Sequence, residues 1–186
     1  MEVTIDLKTI DKIDLPTLLA WRNDWRLIQF TRQWDLINEV EHQDWFDRQA
    51  RDPATRMYKI MFKCGDAEGP VGVCGLTSID YRNSRAEFSL YIIPEFKRRG
   101  IGKNALSLLL KHAFLNMGLN LVWGETFDEN PAIPMFESLG MVKEGTRRAF
   151  YFKEGKRIAA HLYSITREEW NASILAVPAS RSDAPD

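Results

Sequence analysis

The sequence predicts an α+β fold, a single domain built on a mixed, mostly antiparallel sheet of about seven strands with about four helices. Three observations predict it. The first half carries short runs of alternating apolar and polar residues separated by turn residues, the period of half-buried strands. An amphipathic helical stretch then follows a glycine-containing loop and leads into another strand, the order of a crossover unit. Finally, 186 residues that are 45% hydrophobic and 27% charged suffice for one core without disulfides or a structural metal.

Val3, Ile5 and Leu7 alternate with polar residues and make the first strand. Asp14 is placed to cap a helix that tolerates Pro16 in its first turn and carries Leu18, Leu19 and Trp21. Asn38 and Glu41 have capping-box spacing and open a second helix through Trp45, Phe46 and Gln49, ended by Asp52-Pro53. Residues 57–63 and 71–79 form a hairpin about a turn at 64–70. A second turn at 80–84 leads to a third strand, 85–93, stopped by Pro94. The helix at 102–114 ends at Gly118, and a strand follows at 119–126. A short helix at 132–139 lies between Asn130-Pro131 and Gly140. Strands at 146–152 and 157–165 close the domain across the turn Lys153-Glu154-Gly155. Residues 1–170 constitute the domain, and 171–186, low in large apolar residues, read as a flexible tail.

Composition narrows the function classes. The 25 Lys and Arg against 26 Asp and Glu give a net charge of −1, which argues against a nucleic-acid partner. Cys64 and Cys74 lie outside any CxxC pattern and read as free thiols of a reducing cytosol. His42, His112 and His161 are far apart, so no metal site is expected. No apolar run is long enough to span a bilayer, and the acidic, alternating N-terminus is unlike a secretory signal. The expectation is a cytoplasmic protein without a membrane partner.

The segment Lys97-Arg98-Arg99-Gly100-Ile101-Gly102-Lys103 joins a strand to the amphipathic helix. Gly100 and Gly102 permit close backbone approach, and the helix N-terminus adds unpaired N–H donors and the positive end of its dipole. Such a turn suits a pyrophosphate, reinforced by four cationic side chains. A purely structural turn is the alternative; the dinucleotide GxGxxG and the P-loop GxxxxGK[ST] patterns are absent.

This loop resembles the [Q/R]xxGx[G/A] signature of the GNAT family of N-acetyltransferases, with Lys97 in place of the usual first residue. The order of elements is similar from the first strand to about Trp170. The resemblance implies acetyl-CoA as co-substrate, its pantetheine lying between two splayed parallel strands, here 86–93 and 121–126. It further implies backbone contacts from Leu90, Tyr91, Ile92 and Ile93, with the Ile92 N–H as oxyanion donor. Residues 130–141 resemble the family's Nxx[AS]xxxYExLGF, so Asn130 would meet the pantetheine or simply cap the helix, and Phe136 would border the cofactor. Three departures stand out: Ile133 stands where the pattern has a small residue, Pro134 enters the first helical turns, and Phe136 replaces the tyrosine that often protonates the departing thiolate. Ser138, Tyr151 and Tyr163 are substitute acids between which the sequence does not choose.

Amine acetylation also needs a group to take the ammonium proton. Alternation puts Glu87, Ser89 and Tyr91 on one face of their strand, and Glu87 stands where related acetyltransferases often carry a base; a structural ion pair is the other reading. Short strings of the first half, among them residues 19–23, 41–46 and 71–80, resemble the branch that acetylates 4-amino sugars linked to UDP. There Arg22, Asn23 and Trp45 would border the acceptor pocket. The sister branch acetylates protein N-termini, and polyamines or antibiotics are more distant acceptors. A non-catalytic acetyl-CoA sensor is the reading from another class, and a monomer or homodimer is expected.

Overall fold

Alternating residues of the first half fold as an antiparallel meander in the computed structural model, which describes residues 3–175. β1 (Val3–Thr9), β2 (Arg56–Cys64), β3 (Ala67–Asp80) and β4 (Arg85–Ile92) pair in sequence order. The hairpin turn between β2 and β3 is tighter than the sequence reading gave. Cys64 faces Ala67, and Gly65 takes the positive φ of 58° that a two-residue turn demands. Pro70 stays within β3 because it lies opposite a bulge at Ile60/Met61, where one ladder bond is dispensable.

α1 (Leu15–Arg22), α2 (Trp25–Ile28) and α3 (Glu39–Arg51) fill the β1–β2 connection. Asn38 and Glu41 form the expected reciprocal cap at 3.0 Å each way. Asp14 does not cap with its side chain. Its carboxylate accepts from the Asp11 N–H at 2.7 Å and from Lys59 Nζ at 2.7 and 2.9 Å, tying α1 to β2.

β4 leads through the basic loop into α4 (Ile101–Lys111), which continues as a π-helical turn to Asn116. Ala105, Leu106, Leu109 and Leu110 are fully buried and press α4 onto the sheet. β5 (Leu121–Phe127), α5 (Ile133–Ser138), β6 (Val142–Lys153), β7 (Lys156–Thr166) and α6 (Arg167–Leu175) complete the fold. The sheet order is β1-β2-β3-β4-β5-β7-β6, with β4 and β5 its parallel pair among the described residues.

Six α-helices are present where about four were expected. The four-residue α2 is too short to show a period, and α6 covers residues 171–175, which the sequence reading assigned to the tail. Residues 176–186 lie outside the described residues. Two apolar clusters lie on the sheet. The larger packs α4, α5 and α6 on one face, and a smaller one, Ile10, Leu15, Leu18 and Val73 with Trp45 and Phe46, packs α1 and α3 on the other. No helix among the described residues is long and apolar enough to cross a membrane.

Candidate active site

The basic loop takes the shape its glycines allow. Gly100 has φ 74° and an added Cβ there would meet nothing within 4 Å, so the backbone faces open space. The first intrahelical bond of α4 runs from the Asn104 N–H to the Gly100 carbonyl at 3.1 Å. The N–H groups of Ile101, Gly102 and Lys103 therefore have no helical acceptor and lie at the positive end of the dipole. A cleft of about 530 Å³ opens over them, bordered by Leu90, Ile92, Arg98, Lys103, Asn130 and Phe136 among others. Lys97 also lines it, close to the Phe30 ring at 5.2 Å, whereas Arg99 stacks on Phe96 at 5.0 Å. These unpaired amides, with cations beside them and no side chain in the way, fit a pyrophosphate.

The cleft continues into a gap in the sheet. β4 and β5 share only three register pairs, Arg85–Leu121, Ala86–Val122 and Glu87–Trp123, and then diverge. The Phe88 ring lies over Gly124 at that point; a Cβ on Gly124 would be 2.3 Å from Phe88 Cε1. Beyond it, the Ile93 N–H bonds to the Val71 carbonyl at 2.9 Å, so that pair is a hydrogen-bonded one of the β3–β4 ladder. Antiparallel pairs alternate, so Tyr91 and Ile93 give their backbone groups to β3, while Leu90 and Ile92 turn theirs toward the gap. Of the four expected backbone contacts, two thus face the site.

Asn130 lies in the turn before α5 and does not cap it, since the N-cap position is Ala132 and carries no side-chain cap hydrogen bond. Its Oδ1 accepts from the Ala132 N–H at 2.9 Å, and the residue lines the cleft. Pro134 is accommodated at the start of α5, where a missing N–H costs nothing. Phe136 is buried against Phe88 and Tyr163, at ring distances of 5.3 and 5.8 Å. The substitute hydroxyls are all engaged. Ser138 donates to the Met135 carbonyl at 2.8 Å, Tyr163 to Glu137 at 3.1 Å, and Tyr151 to Glu125. Burial, then the Glu125 contact, pushes the Tyr151 phenol above its ordinary range.

On the opposite face of β4, Glu87 is buried and accepts a charge-assisted hydrogen bond from Arg32. Arg32 belongs to the segment after α2, which Lys153 holds through the Ile28 and Thr31 carbonyls. Glu125, two residues beyond Trp123, faces the same side as Glu87 and pairs with Arg147 at 2.7 Å. A second cleft of about 630 Å³ lies here, lined by Arg22, Arg32, His42, Trp45, Ser89 and Tyr91 among others. His42 is buried and stacks on Trp45 at 5.2 Å; burial, and then Arg22, push its imidazole below the ordinary range, so it is neutral at pH 7. Asn23 is turned elsewhere. It exchanges two 2.8 Å hydrogen bonds with the Ile37 backbone and clamps the loop that carries Arg32.

A family model described as an acetyltransferase (GNAT) domain matches residues 5–142. The chain belongs to the GNAT acetyltransferase family. Among curated relatives, an uncharacterised N-acetyltransferase, p20, of Bacillus licheniformis is 29% identical over 101 residues, which are 54% of this chain and 57% of that protein. The chain thus spans little more than half the length of that GNAT relative. The spermidine N(1)-acetyltransferase of Escherichia coli is 25% identical over 154 residues, 82% of this chain and 81% of that protein. A crystal structure of spermidine N-acetyltransferase from Vibrio cholerae, in complex with CoA and spermine, superposes with a TM-score of 0.83. At 21% identity, covering 90% of this chain and 98% of that one, it shows a shared fold.

Sequence reasoning missed Arg32, Glu125, Arg147 and His42 as neighbours of this GNAT site. Arg32 meets Glu87 across 55 residues, and no local spacing announces such a pair. For Glu125 a signal existed: a carboxylate on the inner strand of a crossover unit, on the parity of Glu87.

Proposed function

We propose that this chain transfers the acetyl group of acetyl-CoA to the primary amine of a small molecule. One observation carries the reading: a sheet gap with unpaired helix amides at one mouth and a buried carboxylate on the far face. Acetyl-CoA, when bound, supplies an acetyl group activated as a thioester. The protein's part follows from its own groups. Ile101, Gly102 and Lys103 amides hold the diphosphate, and the Leu90 and Ile92 backbone pairs with the extended arm as an added strand would. The Ile92 N–H, preorganised in the gap, is the donor for developing negative charge on the carbonyl oxygen. Glu87 takes the proton of the incoming ammonium at a carboxylate oxygen, once Arg32 yields it. Phe136 has no proton to give, so the sulfur would leave as the thiolate of a thiol that, like that of free cysteine, ionises at about pH 8.5, and the nitrogen's second proton would pass to solvent.

For the acceptor, the phrases of the first half favour the 4-amino group of a nucleotide-linked sugar. A polyamine is the second reading, favoured by the 82% of the chain that is similar to a spermidine acetyltransferase. Both free cysteines suit a reducing compartment, and we place the reaction in the cytoplasm. Calorimetric titration with acetyl-CoA, followed by thiol release across UDP-4-amino sugars, polyamines and N-terminal peptides, tests the proposal. Absence of acetyl-CoA binding would refute it, and release with one class identifies the acceptor.

A further inference from the structure

Arg22 stands apart from every other charge in the second cleft. Arg32, Asp35, Glu41, Asp44 and Arg48 also line it, but all five are exposed at its rim, where solvent screens them. Asp35 and Glu41 are also occupied, accepting from the Leu36 N–H at 2.7 Å and the Asn38 N–H at 3.0 Å. Arg22 is the one of these charged residues that is half-buried rather than exposed, and burial lowers its basicity. Among the described residues no carboxylate lies within ion-pair distance of it. Its polar contacts are with a neutral side chain, Gln33, whose Oε1 accepts from Arg22 Nε at 2.9 Å and whose Nε2 donates to the Arg22 carbonyl at 2.9 Å. A guanidinium partly withdrawn from water without a counter-ion is costly, and proteins ordinarily pair it. Gln33 uses the Nε edge and leaves the two terminal amino groups, the fork that grips oxyanions in bidentate fashion. Beside it stand neutral His42, stacked on Trp45, and the Tyr91 ring, a polar and aromatic wall for the body of a ligand.

We infer that Arg22 is the counter-ion for an oxyanion, phosphate or carboxylate, carried by the amine acceptor, so that the second cleft selects anionic amines over polycations. This rests on the acetyltransferase reading for the identity of the ligand as acceptor, and on the structure alone for the anion. Gln33 positions the guanidinium and, being neutral, leaves its charge to the ligand.

The test is calorimetric titration of the full chain with UDP and, separately, with 4-aminobutyrate, each in saturating CoA so that the cofactor cleft is closed to the probe. Two variants are compared with the parent: Arg22→Met, which removes the charge and keeps the apolar stem, and Gln33→Glu, which leaves Arg22 in place and supplies the missing carboxylate. Either probe should bind the parent, and both variants should weaken it by about 10- to 100-fold, the value of a charge-assisted hydrogen bond, with CoA affinity unchanged. UDP binding alone marks a phosphate-bearing acceptor and 4-aminobutyrate binding alone a carboxylate-bearing one. Binding of neither probe, or binding indifferent to Gln33→Glu, overturns the inference. So does faster thiol release by the parent with spermidine than with a UDP-4-amino sugar and 4-aminobutyrate alike, an outcome that would leave the acetyltransferase reading standing. Absence of acetyl-CoA binding by the parent would sink that reading, while loss of UDP binding in Arg22→Met would still uphold the role of Arg22 and its persistence there would overturn it.

Discussion

Gly100 separates what the loop needs for folding from what it needs for binding. At φ 74° any L-residue pays for a left-handed backbone, about 1–2 kcal/mol. Nothing lies within 4 Å of the added Cβ, so no packing cost follows. Gly100→Ala and Gly100→Glu should then lose the same stability, a fall in Tm of about 2–8 °C for a domain of this size. Their binding should differ. Alanine adds one methyl at the mouth of the cleft, whereas glutamate puts a like charge against the diphosphate, which costs several kcal/mol. At about 3 kcal/mol the loss exceeds about 100-fold in Kd. Thermal melts and calorimetric titration with acetyl-CoA read the two effects apart. Near-parental affinity in Gly100→Glu would refute the placement of the diphosphate. A much larger Tm loss for glutamate than for alanine would refute the claim that the space above Gly100 is empty.

Glu87→Gln should slow turnover with little change in acetyl-CoA affinity. The deficit should be largest at low pH, where the amine is protonated and needs a base; an unchanged pH–rate profile would place the base elsewhere. Phe136→Tyr should add a proton donor at the cleft wall and raise kcat, since both neighbouring rings already border an aromatic of that size. Equal rates in the two proteins would mean that thiolate departure limits nothing. Burial pushes the Cys74 thiol from 9.0 up to about 12, while Cys64 is half-buried. A raised folded-state value means that the stability linked to Cys74 is full below about pH 9 and is lost as pH rises from there toward 12. In native protein a thiol reagent at pH 8 should label Cys64 alone; fast labelling of Cys74 would contradict its burial.

Much of the cofactor side was legible in the sequence because its determinants are local. Gly100, Gly102 and the α4 pattern lie within one stretch, and Pro94 marks the end of β4. The acceptor side was less so. Glu87 could be nominated from strand parity, but its partner Arg32 comes from a loop without periodicity, held by a lysine more than a hundred residues away. Asn23 was nominated for the acceptor pocket and instead clamps that loop, a role visible only once Ile37 is beside it. Ile93 and Tyr91 were offered as gap contacts along with their neighbours. Strand alternation halves that set, but only after the β3–β4 register shows which residues are hydrogen-bonded to β3.

The three-pair seam between β4 and β5 gives the sheet two unpaired edges in its interior rather than at its rim. Unpaired edges ordinarily invite another protein's strand, and proteins blunt them with charge, bulges or cover. Here the cover is architectural. α4 and α5 close one face, and the loop bearing Arg32 lies across the other, so the approach is a slot rather than a ledge. A gap shaped to receive the proposed co-substrate would, by the same geometry, leave its two strand edges poorly accessible to a strand of another chain.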